Sequence, residues 1–189
     1  MNIPNSLTLI RILLIPVFVV VFCMPVKWSH SLAAAVFSLA AITDLLDGYL
    51  ARKLGQISKL GAFLDPVADK LMVAVVLVLV VQQHPTIWLA LPAAVIIGRE
   101  ITVSALREWM AELGARRKVA VSLTGKFKTA LQMVALILLI YKEPIFAFPV
   151  YNTGMIALYI AAFLTLVSMF QYLTLAWPEL TDRKNTGAR

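Results

Sequence analysis

The chain has 189 residues, 61% of them hydrophobic and 14% charged, with a net charge of +7 and a mean hydropathy of +0.87. Soluble domains carry roughly 45–50% apolar and about 25% charged residues, so an ordinary soluble domain is excluded and a membrane protein is indicated. A bilayer-spanning helix takes about 20 apolar residues, which leaves room for roughly five or six spans with loops and none for a large soluble domain. Continuous runs such as VAVVLVLVV and LQMVALILLI lack the in–out alternation of barrel strands. The predicted fold is therefore an all-α integral membrane bundle.

In chain order, the opening MNIPNSLTLIRILLIP has no basic region before its apolar run and no small-residue cleavage site after it. It is expected to be a retained first helix, not a signal peptide. Apolar runs between breakers predict six transmembrane helices at about 7–25, 31–51, 65–82, 86–108, 123–141 and 150–177, all within one membrane domain, 1–189. The breakers are Pro25 with Lys27, Gly55 to Gly61, His84-Pro85, Gly114 to Lys118, and Lys142 to Pro149, turn and helix-stop chemistry in each case. No internal repeat is visible. Cys23 is the sole cysteine, which excludes an intramolecular disulfide and a cysteine metal cluster. His30 and His84 stand beside turn signals and are expected to be exposed loop residues.

Six spans put both termini on one side. With the N-terminus in the cytoplasm, 15 of the 17 Lys and Arg lie at or near the cytoplasmic face, leaving only Lys27 and Lys142 outside, as the positive-inside rule requires. Nine of the ten acidic residues follow, Glu143 being the exception. The basic run 116–118 is read as an anchor to anionic headgroups. The expected partners of the positive charge are membrane lipids, and no nucleic acid is expected.

Much of this charge falls inside apolar segments, where an Asp costs about 2.5–3.5 kcal/mol at a helix centre. TDLLDGYLAR (43–52) and GAFLDPVADK (61–70) carry Asp44, Asp47, Asp65 and Asp69. At about 100° per residue, Asp44 and Asp47 are roughly 60° apart on one helix, and Asp65 and Asp69 roughly 40° apart on the next. Gly48 and Ala51 lie within about 40° of Asp44, so the surface beside that carboxylate has almost no side-chain bulk. Oxygen-only donors suit hard divalent ions, Mg²⁺, Mn²⁺ or Ca²⁺. Two such ions would suit pyrophosphate chemistry and leave one carboxylate to accept a proton. The alternative is helix-end capping, with Asp residues paired to Arg52, Lys53 and Lys70 and Pro66 at an ordinary helix start.

The spacing Asp44-x₂-Asp47-Gly48-x₂-Ala51-Arg52-x₈-Gly61-x₃-Asp65-x₃-Asp69 resembles the signature of the CDP-alcohol phosphotransferase family of membrane enzymes. That resemblance implies a six-helix fold, usually a homodimer, moving a substituted phosphate from a CDP-linked donor to an acceptor hydroxyl with release of CMP. It further implies a two-metal site of Mg²⁺ or Mn²⁺ on Asp44, Asp47, Asp65 and Asp69, with Asp69 as general base. Gly48, Ala51 and Arg52 would face the cytidine nucleotide.

The remaining polar residues bear on the acceptor. Ser104 and Arg107 each fall within about 40° of Glu100 on the fourth span, continued less closely by Arg99 and Glu108. Lys126 and Lys128 are about 160° apart on the fifth, so only one can easily enter the site. A phosphorylated acceptor would need its own cation clamp, for which Arg107 and Lys126 are the expected residues. Asn5, Thr8 and Arg11 form one stripe on the first span; taken singly, Asn5 reads as an N-cap and Arg11 as a residue snorkelling to the interface. Segments through residue 135, including NIPNSLTLIRILLIPVF, GREITVSALRE and GKFKTALQM, are most similar to the bacterial branch of the family that uses CDP-diacylglycerol and sn-glycerol 3-phosphate. That branch implies Asn5 and Thr8 beside the donor nucleotide and a site at the cytoplasmic face of the inner membrane. A sister enzyme taking inositol phosphate, serine or phosphatidylglycerol is the nearest alternative. A cation-coupled transporter is a more distant one, since transporters place intramembrane charge at the midplane between repeated halves.

Overall fold

A computed structural model describes residues 3–54, 59–112, 123–146 and 148–181; inside its helices the side chains of 3–5, 45, 47–54, 59–60, 62, 123–126 and 178–181 are outside the description. The described residues form six α-helices: α1 (Ile3–Cys23), α2 (Ser29–Leu54), α3 (Lys59–Gln83), α4 (Ile87–Glu112), α5 (Leu123–Tyr141) and α6 (Val150–Thr181). Each covers one of the predicted apolar runs. Ser6–Cys23, Ile87–Glu112 and Val150–Trp177 are long and apolar enough to cross a membrane, and Phe127–Tyr141 is a shorter apolar helix. The all-helical architecture is that of a membrane protein.

Two kinds of apolar residue show how the bundle is solvated. Phe18, Phe37, Leu77, Ile96, Leu136, Leu139 and Leu158 are fully buried and form one continuous core with Met72, Val76 and Leu89. A smaller cluster of Val103, Leu106, Met110, Tyr172 and Ala176 joins α4 to α6. Leu13, Val20, Val78, Ile101 and Phe163 are instead well exposed. An aliphatic exterior of that extent is unfavourable in water and matches lipid. Exposed Trp28 and Trp88 sit beside helix ends, where indole rings favour the membrane–water interface.

The most extensive pairings are α5 with α6 and α1 with α2; α6 also meets α4, α1 meets α3, and α2 meets α5, while α3 and α4 touch sparsely. Gly154 permits the close α5–α6 approach, since a Cβ there would lie 3.0 Å from Leu139 Cγ and 3.1 Å from Leu138 Cβ. Alternation of helix direction gathers Thr8, Arg11, Asp44, Asp65, Asp69, Arg99 and Lys128 at one end of the bundle. His30, Gln83, His84 and Tyr151 collect at the other.

Two local expectations change. Because α3 begins at Lys59, Pro66 lies inside the helix, not at its start, and removes one backbone hydrogen bond from the turn that carries Asp65. The histidines are half-buried, not exposed loop residues. His30 Nε2 is 2.8 Å from Gln83 Nε2 and its ring stands edge-on to Phe22, while His84 packs on Tyr151. Turn signals located the helix ends correctly, but closing the bundle brings those ends together.

Gly154→Val is expected to destabilise the protein by about 1–3 kcal/mol, the range for overpacking, read as a lower unfolding midpoint in detergent. Gly98→Ala, where a Cβ meets nothing within 4 Å, should be neutral or stabilising by up to about 1 kcal/mol. The two histidines add a pH dependence. Burial, then the Lys142 charge, lowers the pKa of each below 6.5, so the unfolded chain binds more protons over that interval. Stability should be level above about pH 7 and fall as pH drops below about 6.5, levelling again once the folded-state values are passed. Unfolding midpoints across that range, compared with a His30→Gln/His84→Gln variant lacking the slope, test this.

Candidate active site

The site is assembled around a guanidinium. Arg11 of α1 is almost completely buried, and its Nη1 lies 2.6 Å from Asp69 Oδ1 of α3 and 2.9 Å from Asp44 Oδ1 of α2. One turn earlier on α1 is a second link, Thr8 Oγ1 donating to Asp65 Oδ1 at 2.5 Å. Arg11 is therefore no snorkelling residue: it is held inward because three helices converge on it, and an isolated charge there would be costly. Asp65 and Asp69, predicted to share a face, both turn toward α1. Lys70, offered as an aspartate partner, donates instead to Ser104 Oγ at 2.5 Å.

Beside this cluster is a cavity of about 240 Å³ lined by Asp44, Asp69, Lys70, Arg99, Glu100, Arg107, Lys128, Gln132 and Tyr172, among others. Its described lining holds four cations, Lys70, Arg99, Arg107 and Lys128, against three carboxylates, Asp44, Asp69 and Glu100. Arg99 donates from Nη1 to Glu100 Oε1 at 2.6 Å and from Nη2 to Ser168 Oγ at 3.0 Å. Arg107 donates from Nη2 to Tyr172 Oη at 2.8 Å and lies over that ring, 5.1 Å from its centroid. The Nε atoms of Arg99 and Arg107 are buried without a hydrogen-bond partner. Buried donors are normally satisfied, so two unused guanidinium N–H groups in a net positive cavity suit an oxyanion.

Of the α5 lysines, Lys128 is buried, with Nζ 3.9 Å from Glu100 Oε1. The side chain of Lys126, and those of Asn5, Asp47, Gly48, Ala51 and Arg52, lie outside the described residues. Sequence reasoning underweighted Arg99 and did not single out Gln132, Ser168 or Tyr172. The available signal was a polar group inside an apolar span, which usually faces the bundle interior. Among the described residues, no group of three or more His, Cys, Asp or Glu side chains is placed to hold a metal ion, since Asp65 is turned to Thr8 and Arg11 stands between Asp44 and Asp69.

The family model for CDP-alcohol phosphatidyltransferase matches residues 1–167. The chain belongs to the CDP-alcohol phosphatidyltransferase family. Over 181 residues it is 60% identical to the CDP-diacylglycerol–glycerol-3-phosphate 3-phosphatidyltransferase of Pseudomonas fluorescens, spanning 95% of this chain and 92% of that relative. It is 53% identical over 182 residues to proteins of the same name from Escherichia coli K12 and Shigella flexneri serotype 5b, spanning 96% of this chain and 98% of each relative. The resemblance carried by the aspartate motif is thus borne out, and the family generally uses divalent metal ions.

Arg11→Met should leave Asp44 and Asp69 facing each other without their shared cation. Breaking a fully buried pair costs about 3–5 kcal/mol. With the two carboxylates 32% and 35% exposed, solvent screening reduces the expected loss to about 1–3 kcal/mol. The unfolding midpoint in detergent should fall accordingly, with partial recovery in Arg11→Lys; an unchanged midpoint for Arg11→Met would show that the bridge contributes nothing to stability.

Proposed function

We propose that the chain transfers the phosphatidyl group of CDP-diacylglycerol to sn-glycerol 3-phosphate, giving phosphatidylglycerol phosphate and CMP. The observation that carries this reading is the juxtaposition of the Asp44–Asp69 cluster with the basic cavity of Arg99, Arg107 and Lys128. A donor pyrophosphate and a phosphorylated acceptor present two anions side by side, and the two halves of the site match them. Serine or inositol would leave the second set of cations without a purpose. The names and near full-length coverage of the relatives agree.

A hydroxyl of glycerol 3-phosphate attacks the phosphorus bearing the diacylglycerol. The new P–O bond forms as the bridging P–O bond to CMP breaks, CMP leaves with the bridging oxygen, and the hydroxyl proton passes to a carboxylate. Asp69 is assigned that proton, because it stands on the cavity wall beside Lys70 and Glu100. Thr8, Asn5, Asp44, Gly48, Ala51 and Arg52 are assigned to the donor nucleotide. Arg107 and a lysine of α5 take the acceptor phosphate. Of Lys126 and Lys128, Lys128 has the supporting geometry.

Carboxylate oxygens of Asp44 and Asp69, on different helices, converge on one positive group, the Arg11 Nη1, and oxygen-only donors of this kind suit a hard divalent ion. Asp44, Asp47, Asp65 and Asp69 would hold Mg²⁺ or Mn²⁺, two ions in all, which when bound neutralise the phosphate oxygens. The chain is assigned as one membrane domain, 1–189, with six spans, cytoplasmic termini and a cytoplasmic-face site in the bacterial inner membrane, as a homodimer among membrane lipids. The supports for the orientation are the charge asymmetry and the common end shared by the site residues.

Purified protein with CDP-diacylglycerol and Mg²⁺ should release CMP with sn-glycerol 3-phosphate and not with serine or inositol; the reverse pattern would refute the acceptor. Asp69→Asn should lower turnover by about 10²–10⁴-fold, the usual contribution of a positioned base. Lys128→Met should raise KM for glycerol 3-phosphate more than for the donor.

A further inference from the structure

Between α3 and α4 lies a second cavity, an apolar groove of about 400 Å³. Its walls are built from Leu71 and Ala74 on α3 and Ile96, Ile97 and Ile101 on α4. These two helices touch only sparsely, and the small side chain of Ala74 leaves the space between them unfilled. One end is polar, where Lys70 bonds Ser104 across the gap and Ser104 donates to the Glu100 carbonyl at 2.5 Å. Lys70, Val73 and Glu100 line both this groove and the polar cavity of the active site, so the two share a wall. Exposed Leu71 and Ile101 mark its outer rim on the aliphatic, lipid-facing exterior.

We infer that this α3–α4 groove binds one acyl chain of the lipid donor, with the Lys70–Ser104 bond marking the junction between headgroup and chain. The inference rests on the reaction proposed above. A donor with its pyrophosphate among Asp44, Asp69 and the basic cavity must lead its chains out of a charged chamber into lipid. An exit lined by aliphatic side chains, reached across the wall that carries Lys70 and Glu100, satisfies both ends of an amphiphile. Apolar pockets with a few polar groups at one end are the usual form of such ligand sites, and each buried methylene adds to affinity.

Filling the groove tests the inference. Ala74→Phe places a ring in the channel, and Val78→Phe, on the exposed lipid side of the same helix, is the control. CMP release by detergent-purified protein is followed with dipalmitoyl and dioctanoyl CDP-diacylglycerol. Ala74→Phe should raise KM for the dipalmitoyl donor roughly tenfold, a difference of about 1.4 kcal/mol. KM for glycerol 3-phosphate and turnover with the dioctanoyl donor should stay within about twofold, and Val78→Phe should match the unmodified protein. Equal losses with both donors, no change with either, or a change in oligomeric size on gel filtration would overturn the inference, the last showing a contact between copies of the chain. A second measurement needs no variant: a donor with a diazirine at an acyl terminus, photolysed on the unmodified protein, should label peptides containing 71–74 or 96–101. Label confined to other helices would overturn it. CMP release by the unmodified protein comes first, so failure of the reaction itself is separable from failure of the groove.

Discussion

The placement of Arg11 between Asp44 and Asp69 is the contact on which the rest of the site depends. Its Nη1 lies within 2.9 Å of a carboxylate on each of two other helices, so α1, α2 and α3 are tied at one point near one end of the bundle. Charges at such depth are tolerated only when they meet partners. Any packing that moved one of these helices by a turn would strand a charge. The register of three helices is thereby coupled to the arrangement of groups that a pyrophosphate substrate would meet.

A second polar layer is built on α4, α5 and α6 in the same manner. Arg99 is fixed by Glu100 and Ser168, Arg107 by Tyr172, and Lys128 is drawn toward Glu100. These bonds hold the cations in place without consuming all of their donors, since the Nε of Arg99 and of Arg107 stays unpartnered. Preorganised, partly unsatisfied donors are what a charged transition state requires. The membership of the chain in the CDP-alcohol phosphatidyltransferase family gives that arrangement a chemical purpose, phosphoryl transfer at a lipid headgroup. The carboxylates and the cations occupy adjoining walls of one cavity, and the apolar groove adjoins it on the side of Lys70.

Much of this is legible in the sequence, for stated reasons. Helix periodicity in apolar runs is strong, so all six helices stand where the runs predict them. Their helical extents differ at the ends, as α3 shows by starting at Lys59. The aspartate spacing identifies the family because eight fixed positions over 26 residues are specific. Asp44 and Asp69 do line one cavity, and Arg107 faces it with Glu100. Single charged residues are harder. Arg11 and a snorkelling arginine look alike in one dimension, and Lys126 and Lys128 differ only in which way the helix is turned.

The sequence by itself determined the class, the helices, the family and the chemical types available at the site, because these follow from composition, periodicity and local spacing. Only the tertiary structure decided partners: that Arg11 pairs with Asp44 and Asp69, that Thr8 meets Asp65, that Lys128 is buried near Glu100, and that His30 meets Gln83. Each joins residues on different helices, and the pairing depends on how those helices are rotated and packed. That rotation is set by the whole core, from Phe18 to Leu158, and no local stretch of sequence contains it.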